Sequence, residues 1–158
     1  MTKTNVMRLL DAAKRPYRAA EYEWDERDLS GAHAAAALGT PPEQVFKTLV
    51  ARGEKMGHLV FCIPVCCELD LKKAAKAAGD KKVELIPVKE LLPLTGYLRG
   101  GCSPIGMKKK FPTYMDETAQ LYEEIGVSAG ARGCQILISP DDLAAYCGLA
   151  FADLISLL

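Results

Sequence analysis

Val45-Phe46-Lys47-Thr48-Leu49-Val50-Ala51-Arg52, the turn Gly53-Glu54-Lys55-Met56-Gly57, and His58-Leu59-Val60-Phe61-Cys62-Ile63-Pro64-Val65 together decide the fold. Two apolar, β-rich runs around a short segment bounded by glycines predict an antiparallel hairpin. The second run is apolar without alternation, as expected of a strand covered on both faces. A strand of that kind needs packing layers above and below it, and the rest of the chain has to supply them.

Upstream, Val6, Leu9, Leu10 and Ala13 recur at the i, i+3, i+4, i+7 spacing of a one-sided helix over residues 5–14, which Pro16 ends. Residues 17–24 read as a strand. Ser30 is placed to cap an Ala-rich helix that stops at Gly39, and Pro41-Pro42 prevents its continuation. Downstream, Asp70 caps a helix whose inward face reads Leu71, Ala74, Ala75 and Ala78, with Gly79 just past its end. A short strand over 82–88 and one or two helical turns over 88–94 follow.

Residues 95–114 hold four glycines and two prolines, a composition of turns. Strands at 124–128 and 134–139 flank a turn at 129–133, and Ser139-Pro140 opens a last helix ending near Gly148. Short strands and helices alternate irregularly. The expectation is an α+β fold: a single domain over residues 1–158 with one mixed β-sheet surrounded by helices. Phe111 and the tail Leu154–Leu158 can serve as core or as contact surface.

Lys+Arg and Asp+Glu both total 20, so the formal net charge is zero. Phosphate binding is driven by cationic contacts, so neutrality argues against a large nucleic-acid interface and leaves room for a small one. The local exception is Lys108-Lys109-Lys110, most simply a solvated basic run, although it directly follows a Gly/Pro loop. The N-terminus lacks an apolar core of signal-peptide length, and no stretch approaches the ~18 apolar residues of a membrane span. A cytoplasmic protein is expected. The six cysteines contain no C-x-x-C pair, and adjacent Cys66-Cys67 is poor ligand spacing with no histidine near. Free thiols, no metal and no cofactor are therefore expected.

Two features could carry chemistry. Lys47 lies inside a strand on the same face as Val45 and Leu49. It either snorkels to water over an apolar stem or presents its amine to an oxygen inside a pocket. The loop Gly100-Gly101-Cys102-Ser103-Pro104 is either a plain turn or a set of backbone N–H donors that could hold an ester carbonyl. Cys102 would need a nearby base or cation to become a nucleophile, and no motif places His33 or His58 beside it. No phosphate loop or dinucleotide fingerprint occurs.

Taken in order, TNVMRLLDAAKRPY, PPEQVFKTLVARG, ELDLKKAAKAAGDKKVEL, LTGYLRGGCSPIGMKKKFPTYMDE and VSAGARGCQILISPDDL resemble the YbaK/EbsC family. These are bacterial Cys-tRNA(Pro) deacylases related to the editing domain of prolyl-tRNA synthetase. The resemblance spans nearly the whole chain. It implies a cytoplasmic aminoacyl-tRNA deacylase acting on the acceptor end of mischarged tRNA, with prolyl-tRNA synthetase as a candidate partner and no membrane. It also implies that Lys47 is the residue most tied to activity. Gly100, Gly101, Cys102, Ser103 and Pro104 would hold the aminoacyl carbonyl, and Tyr22 would line the pocket. Gln135 falls where some members carry an aspartate, which alters the pocket's charge. The family chemistry, in which the substrate's own thiol attacks its ester, asks for orientation and oxyanion stabilisation. Deacylation of another small amino acid such as alanine, and non-catalytic binding of aminoacyl-tRNA or a synthetase, remain the alternatives.

Overall fold

The computed structural model describes residues 2–156. The hairpin forms as expected: β2 (Phe46–Gly53) pairs antiparallel with β3 (Gly57–Pro64), from Phe46 opposite Pro64 to Gly53 opposite Gly57. Asp80 locks its turn by accepting from the backbone N–H groups of Lys55 and Met56. The hairpin is the centre of a five-stranded mixed sheet, which adds β5 (Val83–Leu85), β6 (Thr113–Asp116) and β9 (Ala150–Ala152). The order is β5-β2-β3-β6-β9, antiparallel on the β5 side of β3 and parallel beyond it.

A second, antiparallel sheet has the order β1-β8-β7, from β1 (Arg18–Glu21), β7 (Ile125–Ala131) and β8 (Cys134–Ile138). A parallel bridge between Val45 and Gly126 joins it to the entry of β2. Two short strands, β4 (Glu68–Leu69) and β10 (Ile155–Ser156), pair with each other.

The continuous apolar run of β3 has its cause in two cores. Val60 and Cys62 pack with Phe46 and Val50 against Val127, Ile136 and Ile138 of the second sheet, and against Val6, Met7 and Leu10 of α1 (Asn5–Ala12). On the opposite face Leu59, Phe61 and Ile63 meet Ala74, Ala75 and Ala78 of α3 (Leu71–Ala78). Burial of each large side chain there contributes about 1.5–3 kcal/mol. Leu71 departs from the expected inward face and is 42% exposed. It stands at the first helical position, directly after the cap Asp70.

The caps read from sequence hold. Ser30 caps α2 (Gly31–Leu38), Asp70 caps α3 by accepting from Lys72 and Lys73, and Ser139 caps α5 (Pro140–Cys147). The first strand stops at Glu21, short of Trp24, because Tyr22 N–H bonds Gly133 at the β7–β8 turn, where partner strand runs out. Phe111 is half-buried against the first core and Leu154 is fully buried in the second, whereas Leu157 and Leu158 lie outside the described residues. Among the described residues no helix is long and apolar enough to cross a membrane.

Candidate functional site

The two sheets are bridged at the entry of β2, and β5 pairs only with the far end of that strand, Ala51–Gly53. The stretch of β2 that β5 leaves uncovered borders a pocket of about 430 Å³, within the usual range for small-ligand sites. Its walls come from β2, from the start of α2, from residues 85–91 and from the loop at 99–102, and Ser128 and Gln135 close it from the second sheet.

The start of α2 comes this close because residue 31 is glycine. A Cβ there would lie 2.2 Å from Val65 Cγ1 at the end of β3, and no side chain could be accommodated without a shift. The loop 95–108 is pinned at its base by Lys108 N–H on the Thr95 carbonyl. Internally it is held by the Tyr97 hydroxyl, which donates to the Ile105 carbonyl.

Five residues singled out from sequence line this pocket: Tyr22, Lys47, Gly100, Cys102 and Gln135. Lys47 is half-buried opposite Ile63, and it has no ion-pair or hydrogen-bond partner among the described residues. Gly101, Ser103 and Pro104 instead build the loop behind that wall. Gly101 N–H donates to the Leu98 carbonyl, and buried Ser103 Oγ accepts from Ile105 N–H. The Pro104 carbonyl faces the Cys147 thiol. Gly100, at φ +89, takes a backbone conformation that favours glycine. The N–H groups of Gly100 and Cys102, both pocket residues, have no acceptor among the described residues.

Gln135 is 6% exposed, and its Oε1, turned towards Gly126, is a buried acceptor with no partner among the described residues. A buried polar atom left unpaired costs about 1–3 kcal/mol. Burial pushes the Cys102 thiol up to about 12, against a smaller opposing pull from the Thr95 side chain. The thiol is therefore protonated near neutrality, the wrong state for a nucleophile. Burial also raises Tyr22 above the ordinary phenol value, so its hydroxyl remains a neutral donor. All six cysteines are free thiols, and no group of three or more His, Cys, Asp or Glu among the described residues could hold a metal ion.

Sequence reasoning missed Ser128, Thr48 and Arg99, which share the pocket. Thr48 and Arg99 stand next to residues that were named, and adjacency was their only signal. Ser128 lies inside the VSAGARG stretch that carries the resemblance, but its place in the pocket follows from its register with Gln135. The basic run does not reach this pocket: Lys109 and Lys110 open on a separate hollow beside Pro104 and Cys147.

Comparison with known proteins gives a consistent outcome. The family described as the aminoacyl-tRNA editing domain matches residues 29–146. A protein of Enterococcus faecalis, proposed to be the Cys-tRNA(Pro)/Cys-tRNA(Cys) deacylase EbsC, is 51% identical over 152 residues, covering 96% of this chain and 93% of its own. The crystal structure of a proposed trans-editing enzyme for prolyl-tRNA synthetase superimposes with a TM-score of 0.81 at 28% identity, covering 98% of this chain and 99% of that one. A hypothetical protein at 24% identity, with a TM-score of 0.87 over 97% of this chain and 100% of its own, supports the fold alone.

Proposed function

The chain belongs to the aminoacyl-tRNA editing domain family, and from that premise we propose that it removes cysteine from mischarged Cys-tRNA(Pro) by substrate-thiol-assisted deacylation. The observation that carries this reading is a convergence. The pocket is lined by a lysine whose amine has no partner, by two residues whose backbone N–H groups have no acceptor and by a buried glutamine, all judged among the described residues, and the protein's own thiol there is held protonated.

The aminoacyl ester enters with its carbonyl oxygen towards Gly100 and Cys102, whose N–H groups donate to it as negative charge develops. Gln135 stands in the pocket wall that meets the substrate's α-ammonium. Lys47 binds the terminal ribose or its phosphate oxygen and fixes the ester in the pocket. The substrate sulfur then attacks the carbonyl carbon. A C–S bond forms, the ester C–O bond breaks, and the thiol proton passes to the departing ribose 3′-oxygen. The products are free tRNA and a cyclic thioester of cysteine, which water opens to the amino acid.

The protein supplies position and hydrogen bonds to this sequence, and the nucleophile belongs to the substrate. Zero net charge fits weak intrinsic affinity for tRNA. Prolyl-tRNA synthetase is accordingly proposed as the partner that presents the mischarged tRNA.

Single-turnover deacylation of Cys-tRNA(Pro) beside Ala-tRNA(Pro) tests the reading. Rapid loss of cysteine with alanine retained is expected. Loss of alanine with cysteine retained would move the assignment to a water-dependent deacylase of small amino acids.

A further inference from the structure

Trp24 is the only tryptophan of the chain and is 45% exposed, although it stands next to the pocket. Its indole lies against the β7–β8 turn because residue 133 is glycine: a Cβ there would come within 2.6 Å of Trp24 Cδ1, and its φ is +81. The Arg132 guanidinium sits over one face of the ring, 5.4 Å from its centroid, which leaves the other face for a ligand. Arg132 Nε also donates to the Arg99 carbonyl at 2.9 Å, which ties the Trp24–Arg132 pair to the loop of the pocket. The acidic neighbour of Arg132 is Glu26 at 3.8 Å, itself 78% exposed, so that pair is a weak one, while the Arg132 side chain is 21% exposed. Trp24, Arg132 and Gly133 line a second hollow of about 440 Å³, and Tyr22 lines both it and the pocket.

We infer that this second hollow is a nucleobase site for the unpaired 3′ end of the substrate RNA, with a base stacked on Trp24 and the adjoining phosphate held by Arg132. The inference rests on the deacylase reading, which puts the aminoacylated ribose in the pocket and sends the strand out past Tyr22. An exposed aromatic with a guanidinium over one face and the other face open is an arrangement that suits single-stranded nucleic acid, because every base has a π face. Stacking is sequence-tolerant and adds affinity without net charge. It thereby accounts for a chain of zero net charge acting on RNA.

The lone tryptophan makes the site directly readable. The wild-type protein is titrated with an RNA hairpin ending in an unpaired ACCA, with the same hairpin blunt-ended, and with one whose overhang is abasic, while tryptophan fluorescence is followed. Saturable quenching by the ACCA hairpin alone is expected. Trp24→Ala should raise the half-saturating concentration for Cys-tRNA(Pro) deacylation about tenfold or more, and Trp24→Phe should recover most of the loss. Cys-tRNA deacylation without quenching, or with Trp24→Ala unchanged, overturns the base site and leaves the deacylase reading standing. Quenching specific to the overhang, with no deacylation, sustains the base site and removes the deacylase reading.

Discussion

Ser128 and Gln135 are cross-strand partners on β7 and β8, and both side chains face the pocket although both residues are more than nine-tenths buried. The next pair is Ala131 with Cys134, so Ala129 and Gly130 bulge from β7 without counterparts. Ser128 Oγ accepts from Gly130 N–H across that bulge, at 3.1 Å. A bulge of this kind re-aims side chains at the end of a pairing, and here it sets a hydroxyl beside an unsatisfied amide. The pair supplies the polar wall that the second sheet gives to the pocket.

Gln135→Leu removes the buried acceptor. Deacylation should fall about ten- to a hundred-fold, the range expected for one lost hydrogen bond to a charged group, while thermal stability stays equal or rises by about 1 kcal/mol. Single-turnover rates set beside thermal melts check both halves. An unchanged rate in a well-folded variant would take Gln135 out of substrate binding.

Gly31→Ala drives a methyl into Val65 and should cost about 1–3 kcal/mol. Val65→Ala in the same chain should return much of that loss, a coupling that a double-mutant cycle by denaturant unfolding measures. Additive losses would mean that the approach of α2 to β3 is not limited by this contact.

Cys102→Ser should leave deacylation within a few-fold of wild type. Because burial holds the thiol near 12, its alkylation by iodoacetamide should be slow at pH 7.5 and speed up as the pH rises. Loss of activity in the serine variant would point to a cysteine-dependent mechanism.

Asp80 should add to the acid sensitivity of the hairpin. Backbone N–H groups of Met56, Lys55 and Lys81 hold its carboxyl below the ordinary value of 3.8. A depressed folded-state value stabilises the fold above the unfolded-state value, and that stabilisation disappears as pH falls through the folded one. Melting temperature should therefore drop between pH 5 and pH 3 by more in wild type than in Asp80→Asn, as followed by circular dichroism. Equal drops would place the acid sensitivity elsewhere.

What the chain revealed before its structure was known follows physical range. The hairpin, the three caps at Ser30, Asp70 and Ser139, and the left-handed ends at Gly39, Gly79 and Gly148 depend on neighbours a few residues away, and they were legible. Thr113–Asp116 was not read as a strand. It is four residues long and follows Pro112, and its pairing comes from distant parallel partners, Val60–Cys62 and Ala150–Ala152. The turn expected at residues 129–133 is shorter, because the bulge carries β7 on to Ala131.

The site divides in the same way. Lys47 and the 100–104 loop could be named from local pattern and family resemblance. The division of that loop into pocket residues and buried supports rests on Leu98, Ile105 and Cys147, and only the folded chain brings these together. Ser128 depends on register, and Trp24 depends on the glycine it packs against, so neither carried a local signal.

The most direct test of the central claim compares wild type with Lys47→Ala in single-turnover deacylation of Cys-tRNA(Pro), with thermal melts run alongside. Lys47 is half-buried without an ion-pair partner among the described residues, so its removal should leave the melting temperature nearly unchanged. The rate should fall by about a hundred-fold or more, as for other positioned polar groups at a reacting centre. A folded Lys47→Ala variant that deacylates at the wild-type rate would contradict the account.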